Sequence, residues 1–397
     1  MQLTFRSLSE DAPGDAWRKV FAHGWPGWSE WFRHRSDGTP SLEDARRGLR
    51  RHMPDYETLW DELNTVCGAD DEAARFLSFW APPRYLVNCS QAVVVDDDGP
   101  FLIRNYDLDP DLNEATLLST RWRGQRVVGM VEAMAGLADG MNETGLAASL
   151  TFGGRVERRP GFGIPLIMRY LLQSCRDVQD AVEVLRSIPS HMSYNVTVLD
   201  RNGNWATVFL APDRPTIVTE QPWATNHQLG VEWPRHGRIS RTMERAEVLE
   251  ELLQQTGVSA TQLRKAFRNA PIFSTNYAEG FGTVYTATYR PTQGEITLSW
   301  KDGTEQSWNL HDVDARHQPI RYGDGGSSTA TTLTTLQAST ERPTWYSDFL
   351  KFAVHPYPDP DGSLHARLAA FWRRNHLGED RDWSNLTPLH SSSAEQE

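Results

Sequence analysis

The spacing of apolar and polar positions changes character once along the chain, near residue 85. Before that point apolar residues recur at helical intervals. Ser41 is suited to cap a helix that has Asp44 in its first turn and Leu42 and Leu49 among its apolar positions. A second helical pattern runs over 56–80, so residues 1–84 read mainly as helix. From residue 85 to 95 the texture becomes β-rich, Asp96-Asp97-Asp98-Gly99 gives a turn signal, and 101–106 returns, which predicts a hairpin over 85–107. Strands are also expected at 146–152, at 194–199 and 205–210, and at 283–289 and 295–300, with helices over 164–187 and 240–255. Strands joined by short turns, with helices inserted in blocks, predict an antiparallel α+β fold rather than alternating β-α-β units. From residue 325 the sequence turns to Gly, Ser, Thr and Ala, predicting a flexible linker to 344. An extension over 345–397 follows, with an apolar helix at 345–372 and a disordered end from 391.

Charge narrows the partners. The 397 residues carry a net charge of −12, which argues against nucleic acid or an anionic membrane as the main partner, since both need a concentrated basic face. The one dense basic stretch, Arg46, Arg47, Arg50 and Arg51, has the spacing of a solvated helix face. No signal-peptide pattern opens the sequence, and no apolar run is long enough to span a bilayer. The three cysteines, Cys67, Cys89 and Cys175, are too few and scattered for a disulfide framework, so a cytoplasmic setting is expected. Four of the fifteen tryptophans (Trp17, Trp25, Trp28 and Trp31) crowd the N-terminal segment, either as a packed cluster or as the lining of a pocket.

Candidate chemistry centres on Cys89. Folding the hairpin about residues 97–98 sets Cys89 nearly opposite 105–107, so Arg104 and Asp107 should approach the sulfur. A guanidinium beside a thiol favours the thiolate, whereas an apolar hairpin core has no use for either charge. Which side chains share a face stays open at this level. Cys67 and Cys175 lie in helical patterns and read as core.

Four stretches, in order, carry a resemblance: Cys89-Ser90, Arg104-Asn105-Tyr106-Asp107, Asp139-Gly140-Met141-Asn142-Glu143-Thr144-Gly145-Leu146, and Ala224-Thr225-Asn226-His227. Together they resemble the acyl-coenzyme A:6-aminopenicillanic acid acyltransferase family of N-terminal-nucleophile hydrolases, over about residues 85–310. The resemblance implies a four-layer αββα sandwich of two antiparallel sheets over 89–324, preceded by a helical segment, 1–88. It implies self-cleavage between Asn88 and Cys89, where the penicillin enzyme has glycine before its cysteine. The product would be an α/β heterodimer of the chain's own fragments, with a homo-oligomer left open. It further implies a C–N hydrolase of linear amides, or an N-acyltransferase, working through an acyl-thioester on Cys89 with no metal or organic cofactor. Its substrate would be a small-molecule amide or acyl-thioester. In that reading Arg104 polarises the thiol, Asp107 accepts from the α-ammonium, and Asn226 and Asn142 serve the oxyanion. The family's later arginine falls on Arg241, with Arg245 as the alternative.

Two rival readings remain. An uncleaved hydrolase would pair Cys89 with a histidine such as His227. A non-catalytic member would use the same sandwich as a binding or scaffold module. Metal chemistry has little support, because the histidines lack H-x-x-x-H or H-E-x-x-H spacing and no C-x-x-C pair occurs.

Overall fold

The computed structural model describes residues 2–33, 40–84, 86–277 and 281–322. The N-terminal segment holds β1 (Gln2–Glu10) and helices α1 (Asp15–Arg33), α2 (Leu42–His52), α3 (Glu57–Cys67) and α4 (Asp71–Ser78). Six strands follow: β2 (Asn88–Asp96), β3 (Gly99–Leu108), β4 (Thr116–Thr120), β5 (Val127–Glu132), β6 (Gly136–Asn142) and β7 (Leu146–Phe152). Helices α5 (Ile164–Ser174) and α6 (Val178–Ser187) precede β8 (Tyr194–Asp200), β9 (Trp205–Leu210), β10 (Ile217–Thr219) and β11 (Trp223–Ala224). Helices α7 (Pro234–Ile239), α8 (Thr242–Leu253) and α9 (Ala260–Phe267) then lead into β12 (Thr275–Asn276), β13 (Phe281–Arg290), β14 (Glu295–Ser299), β15 (Glu305–Asn309) and β16 (Arg316–Arg321). The linker expected to 344 and the extension over 345–397 lie outside the described residues.

Local chemistry explains the elements that position the site. Ser41 and Asp44 cap α2 reciprocally, each side chain accepting from the other's backbone N–H. At the β2–β3 turn Gly99 has φ of 97°, a conformation a Cβ would strain, and the hairpin closes in register from Asp96↔Gly99 to Asn88↔Asp107. Helix α8 buries Thr242, Arg245, Ala246 and Leu249, which is one face at intervals of three and four.

The strands form two sheets. One has nine strands in the order β10-β9-β8-β7-β6-β5-β4-β1-β16, and the other has β11-β2-β3-β13-β14-β15 with β12 paired to β13. They face each other where β2 and β3 lie over β7 and β8, and β13 over β6. Helices α5 and α6 cover β6 to β9 on the outside of one sheet, while α8 and α9 cover β11, β2 and β3 on the other. This makes four layers, αββα, with the buried residues of both inner faces as the main core.

Two details differ from the sequence reading. Residues 1–84 are not all helix, because β1 lies inside the large sheet between β4 and β16. Only Phe5 and Ser7 of this strand are buried, so its period of two is masked by polar and half-exposed neighbours. The pairing of β1 with β4 is also parallel, within a sheet otherwise antiparallel.

Candidate active site

The register of β2 on β3 decides which side chains meet. Cys89 lies opposite Tyr106, and Gln91 opposite Arg104. The Gln91 amide donates to Thr197 Oγ1 at 2.8 Å, and Ser149 Oγ donates back to its carbonyl oxygen at 2.7 Å; both partners belong to the other sheet. Gln91 therefore points between the sheets. By alternation Cys89 does too, along with Arg104 and Tyr106 across the ladder. Ser90, Asn105 and Asp107 take the opposite face, where Asn105 donates to the carbonyls of Phe267 and Ile272.

Arg104 Nη2 donates to Cys89 Sγ at 3.0 Å. The guanidinium is fixed from three sides. Nη1 bonds and ion-pairs with Asp139 of β6, Tyr285 OH lies 3.3 Å from Nη1, and the Tyr106 ring lies 4.6 Å below the guanidinium carbon. Asp139 in turn accepts from Tyr285 OH at 2.8 Å and from Tyr289 OH. All of these side chains are fully buried. Burial alone would lower the Arg104 pKa, yet the thiol, Tyr285 and Asp139 around it hold the guanidinium well above its usual value. Burial likewise pushes the Cys89 thiol up to about 11, with Arg104 offsetting part of that rise. Sealed in this way, the sulfur is a neutral thiol near pH 7.

The backbone of Cys89 is held as firmly. Its N–H donates to Asn226 Oδ1 at 3.2 Å, and its carbonyl accepts from Arg245 Nη1 at 2.5 Å. Arg245 also donates to Ser90 Oγ at 2.9 Å and to Asn226 Oδ1 at 2.6 Å. Asn226 Nδ2 donates to Val87 O and Phe152 O, each at 3.1 Å. Just upstream, Asn88 Oδ1 accepts from the ring of His236 at 3.1 Å. His236 is held near a pKa of about 3 by burial and by Arg245, so it is neutral and donates through Nε2.

The structure thus brings Cys89, Arg104 and Asn226 together, and corrects three other expectations. Asp107 makes no hydrogen bond to the sulfur and acts on it only through its charge, because it lies on the outer face and accepts from Thr283 Oγ1 at 2.7 Å. Its carboxyl, raised to about 6 by burial, faces the backbone side of the cluster with Arg245 nearby. Asn142 is not at the site. Its amide donates to Leu172 O at 3.0 Å and Cys175 O at 2.8 Å, closing the end of α5, and its oxygen accepts from Thr144 Oγ1 and Leu146 N. Arg241 precedes α8, half-exposed and paired with Glu244, while Arg245, one turn on, faces the sheet. The burial face of α8 is the sequence signal that separates the two arginines. His227, the histidine of the rival reading, binds the hydroxyls of Thr225 and Thr242 through Nδ1 rather than the thiol.

Sequence reasoning missed Asp139 as the partner of Arg104, and missed Tyr285 and Tyr289 behind it. It left the N-terminal tryptophans between two roles, and they serve both. Trp17 is buried, whereas Trp28 and Trp31 also line a cavity of about 590 Å³. That cavity lies between α1 and the sandwich and reaches Leu86, just before β2, and Leu108, at the end of β3 two residues beyond Tyr106.

Comparison with known proteins bears on this arrangement. The family profile of acyl-coenzyme A:6-aminopenicillanic acid acyl-transferase matches residues 94–305, more than half of the chain. The chain belongs to that family. Membership agrees with the αββα layers and points to acyl-transfer chemistry of the kind the family is named for. The matched span begins five residues after Cys89, so it includes Arg104 and Asn226 but not the cysteine itself. Among solved structures, a mutant of conjugated bile acid hydrolase from Clostridium perfringens is 12% identical with a TM-score of 0.40, covering 62% of this chain and 100% of its own. Penicillin V acylase from Agrobacterium tumefaciens is 15% identical with a TM-score of 0.37, covering 53% and 82%. The Caenorhabditis elegans ortholog of N-acylethanolamine-hydrolyzing acid amidase is 15% identical with a TM-score of 0.39, covering 51% and 93%. No match is found among curated proteins.

Proposed function

We propose that the chain cuts itself before Cys89 and that the freed cysteine then cleaves, or transfers the acyl group of, a linear amide. The observation that carries this reading is the guanidinium of Arg104 fixed 3.0 Å from the thiol by a buried carboxylate. An inert buried cysteine needs no such partner.

In the first reaction Sγ attacks the carbonyl carbon of Asn88. The peptide bond from that carbon to the Cys89 nitrogen breaks, and the nitrogen takes the thiol proton, giving a thioester and a free α-amine. Water then opens the thioester to an Asn88 carboxylate and regenerates the thiol. His236, holding the Asn88 side chain, limits rotation of the residue under attack.

In the second reaction the same sulfur attacks a substrate amide, while the α-amine of Cys89 moves the proton to the departing amine. The α-nitrogen keeps Asn226 Oδ1 as its acceptor, with Asp107 on the same backbone side. Asn226 Nδ2 has Val87 O as one of its two partners in the uncut chain. Displacement of that carbonyl after cleavage frees a donor for the oxyanion. The fragment of residues 1–88 stays bound, because β1 is hydrogen-bonded on both sides within the large sheet. The two polypeptides together then form the enzyme, with the catalytic unit over 89–324.

Acyl-enzyme trapping tests this. The protein is incubated with a panel of N-acyl amines and N-acyl amino acids, quenched in acid and weighed. The reading expects one acyl mass added to the fragment that contains Cys89, removable by hydroxylamine as a thioester is, and absent from Cys89→Ala. Amine release without any acyl adduct, and at equal rate in Cys89→Ala, would refute it.

A further inference from the structure

Helix α5 carries a buried cation that no described side chain neutralises. Arg169 has no solvent exposure. Its Nε donates to Ala135 O at 2.8 Å and its Nη1 to Thr120 Oγ1 at 2.9 Å, and both acceptors are neutral. Nη2 is buried and has no acceptor among the described residues. The titratable group among them that acts on this guanidinium is a phenol, Tyr56, rather than a carboxylate. Burial lowers the Arg169 pKa to about 10, so the side chain is still charged near neutral pH.

Further orphaned groups surround it. The Arg169 guanidinium carbon lies 4.8 Å from the centroid of the Trp122 ring, and the Trp122 indole N–H is buried without an acceptor among the described residues. Tyr56, just before α3, is fully buried, feels the Arg169 charge, and has a hydroxyl with no partner among those residues. The other charge acting on Tyr56 is again a cation, Arg123, whose own ion pair is with Asp55 at 3.8 Å. One turn beyond Arg169, both amide atoms of Gln173 are buried and unpartnered as well. Guanidinium and indole N–H groups can only donate, and a tyrosine hydroxyl donates too. A water molecule supplies an acceptor to such groups but leaves the buried charge uncompensated, whereas an anion answers both needs.

We propose that Arg169 Nη2, Trp122 Nε1 and Tyr56 OH together hold a monovalent halide ion, chloride under ordinary conditions. All three side chains are buried, so the place suits a monatomic ion rather than the carboxylate of a larger ligand. The ion has a structural consequence. Tyr56 belongs to the N-terminal segment, while Arg169 and Trp122 belong to the sandwich and its covering helix. The halide therefore ties one to the other, near the contact in which Trp17 Nε1 donates to Met134 O at 3.1 Å. The site does not depend on cleavage before Cys89.

Crystals of the full chain grown with sodium bromide as the only halide salt test the site directly. The anomalous signal of bromide should appear at hydrogen-bonding distance from Arg169 Nη2 and Trp122 Nε1. In solution, thermal unfolding in sodium chloride is compared with unfolding in sodium gluconate at equal ionic strength. The Tm should rise by roughly 2–4 °C for each tenfold increase of chloride above its Kd. Arg169→Met should lose this rise. Trp122→Phe, which keeps a ring against the guanidinium, and Tyr56→Phe should each weaken chloride binding by roughly tenfold, and they carry the comparison if the first variant does not fold. A water molecule or a carboxylate of the chain itself at Nη2, or a chloride dependence unchanged in the folded variants, overturns the proposal. A bromide peak without any chloride dependence of the Tm shows an adventitious ion only, and overturns it too.

Discussion

Replacing Arg104 with Met separates what this arginine does for the thiol from what it does for the fold. Arg104→Met removes the partner of Asp139, which is fully buried and keeps only the hydroxyls of Tyr285 and Tyr289. Leaving one half of a buried ion pair costs about 3–5 kcal/mol. Asp139→Asn in the same chain removes the stranded charge, so the double variant should recover most of that loss in urea unfolding. The chemistry should not recover. The bond from Nη2 to Sγ is charge-assisted and worth about 1.5–3 kcal/mol, which is roughly 10- to 100-fold in rate if it serves the thiolate in the transition state. Self-cleavage and amine release, each measured per folded molecule, should therefore fall by that factor in both variants. A double variant as stable as wild type and as fast as wild type would refute the reasoning, since Arg104 would then be structural alone.

Other expectations follow from the same geometry. Asn226→Ala should slow amide hydrolysis by the processed chain by roughly 100- to 1,000-fold, the usual cost of one oxyanion donor, measured as single-turnover rates on folded protein. Arg241→Ala, at a half-exposed surface pair, should change stability by less than about 0.5 kcal/mol and leave rates alone, whereas Arg245→Met should abolish processing because Cys89 O and Asn226 Oδ1 lose their donor. Asn142→Ala should cost about 1–3 kcal/mol in thermal unfolding with no change in rate per folded molecule; a rate loss at full stability would return it to the site. Asp107 titrates near 6 when folded against an ordinary 3.8, so the folded chain keeps a proton that the unfolded chain releases between these values. Stability from this group is complete below pH 3.8 and is lost as pH rises through about 6, while hydrolysis that needs the carboxylate gains over the same interval. Asp107→Asn should flatten both profiles.

The core of the site was legible because its parts lie on one hairpin. An acidic turn between two β-rich runs fixed Cys89 against 105–107, and Arg104 then had to be close. Face assignment was not legible, since a shift of one residue inverts every side chain, and it is the face that sends Arg104 to the sulfur and Asp107 away from it. Asn142 misled because an asparagine that closes a turn and ends a neighbouring helix looks, in sequence, like one that serves an oxyanion. Asp139 was hidden for a different reason: its partner lies 35 residues away on the other sheet, and no local period reports such a pairing. The strand β1 escaped because a strand with two buried residues among half-exposed ones has almost no alternation to read.

Denaturing mass spectrometry of the freshly purified chain, beside Cys89→Ala, bears most directly on the claim that Cys89 is a self-released nucleophile. The wild type should separate into two polypeptides, the larger beginning at Cys89, and the variant should remain one uncut chain. A wild-type chain that stays whole while hydrolysing amides, or a variant cut at the same bond, would contradict it.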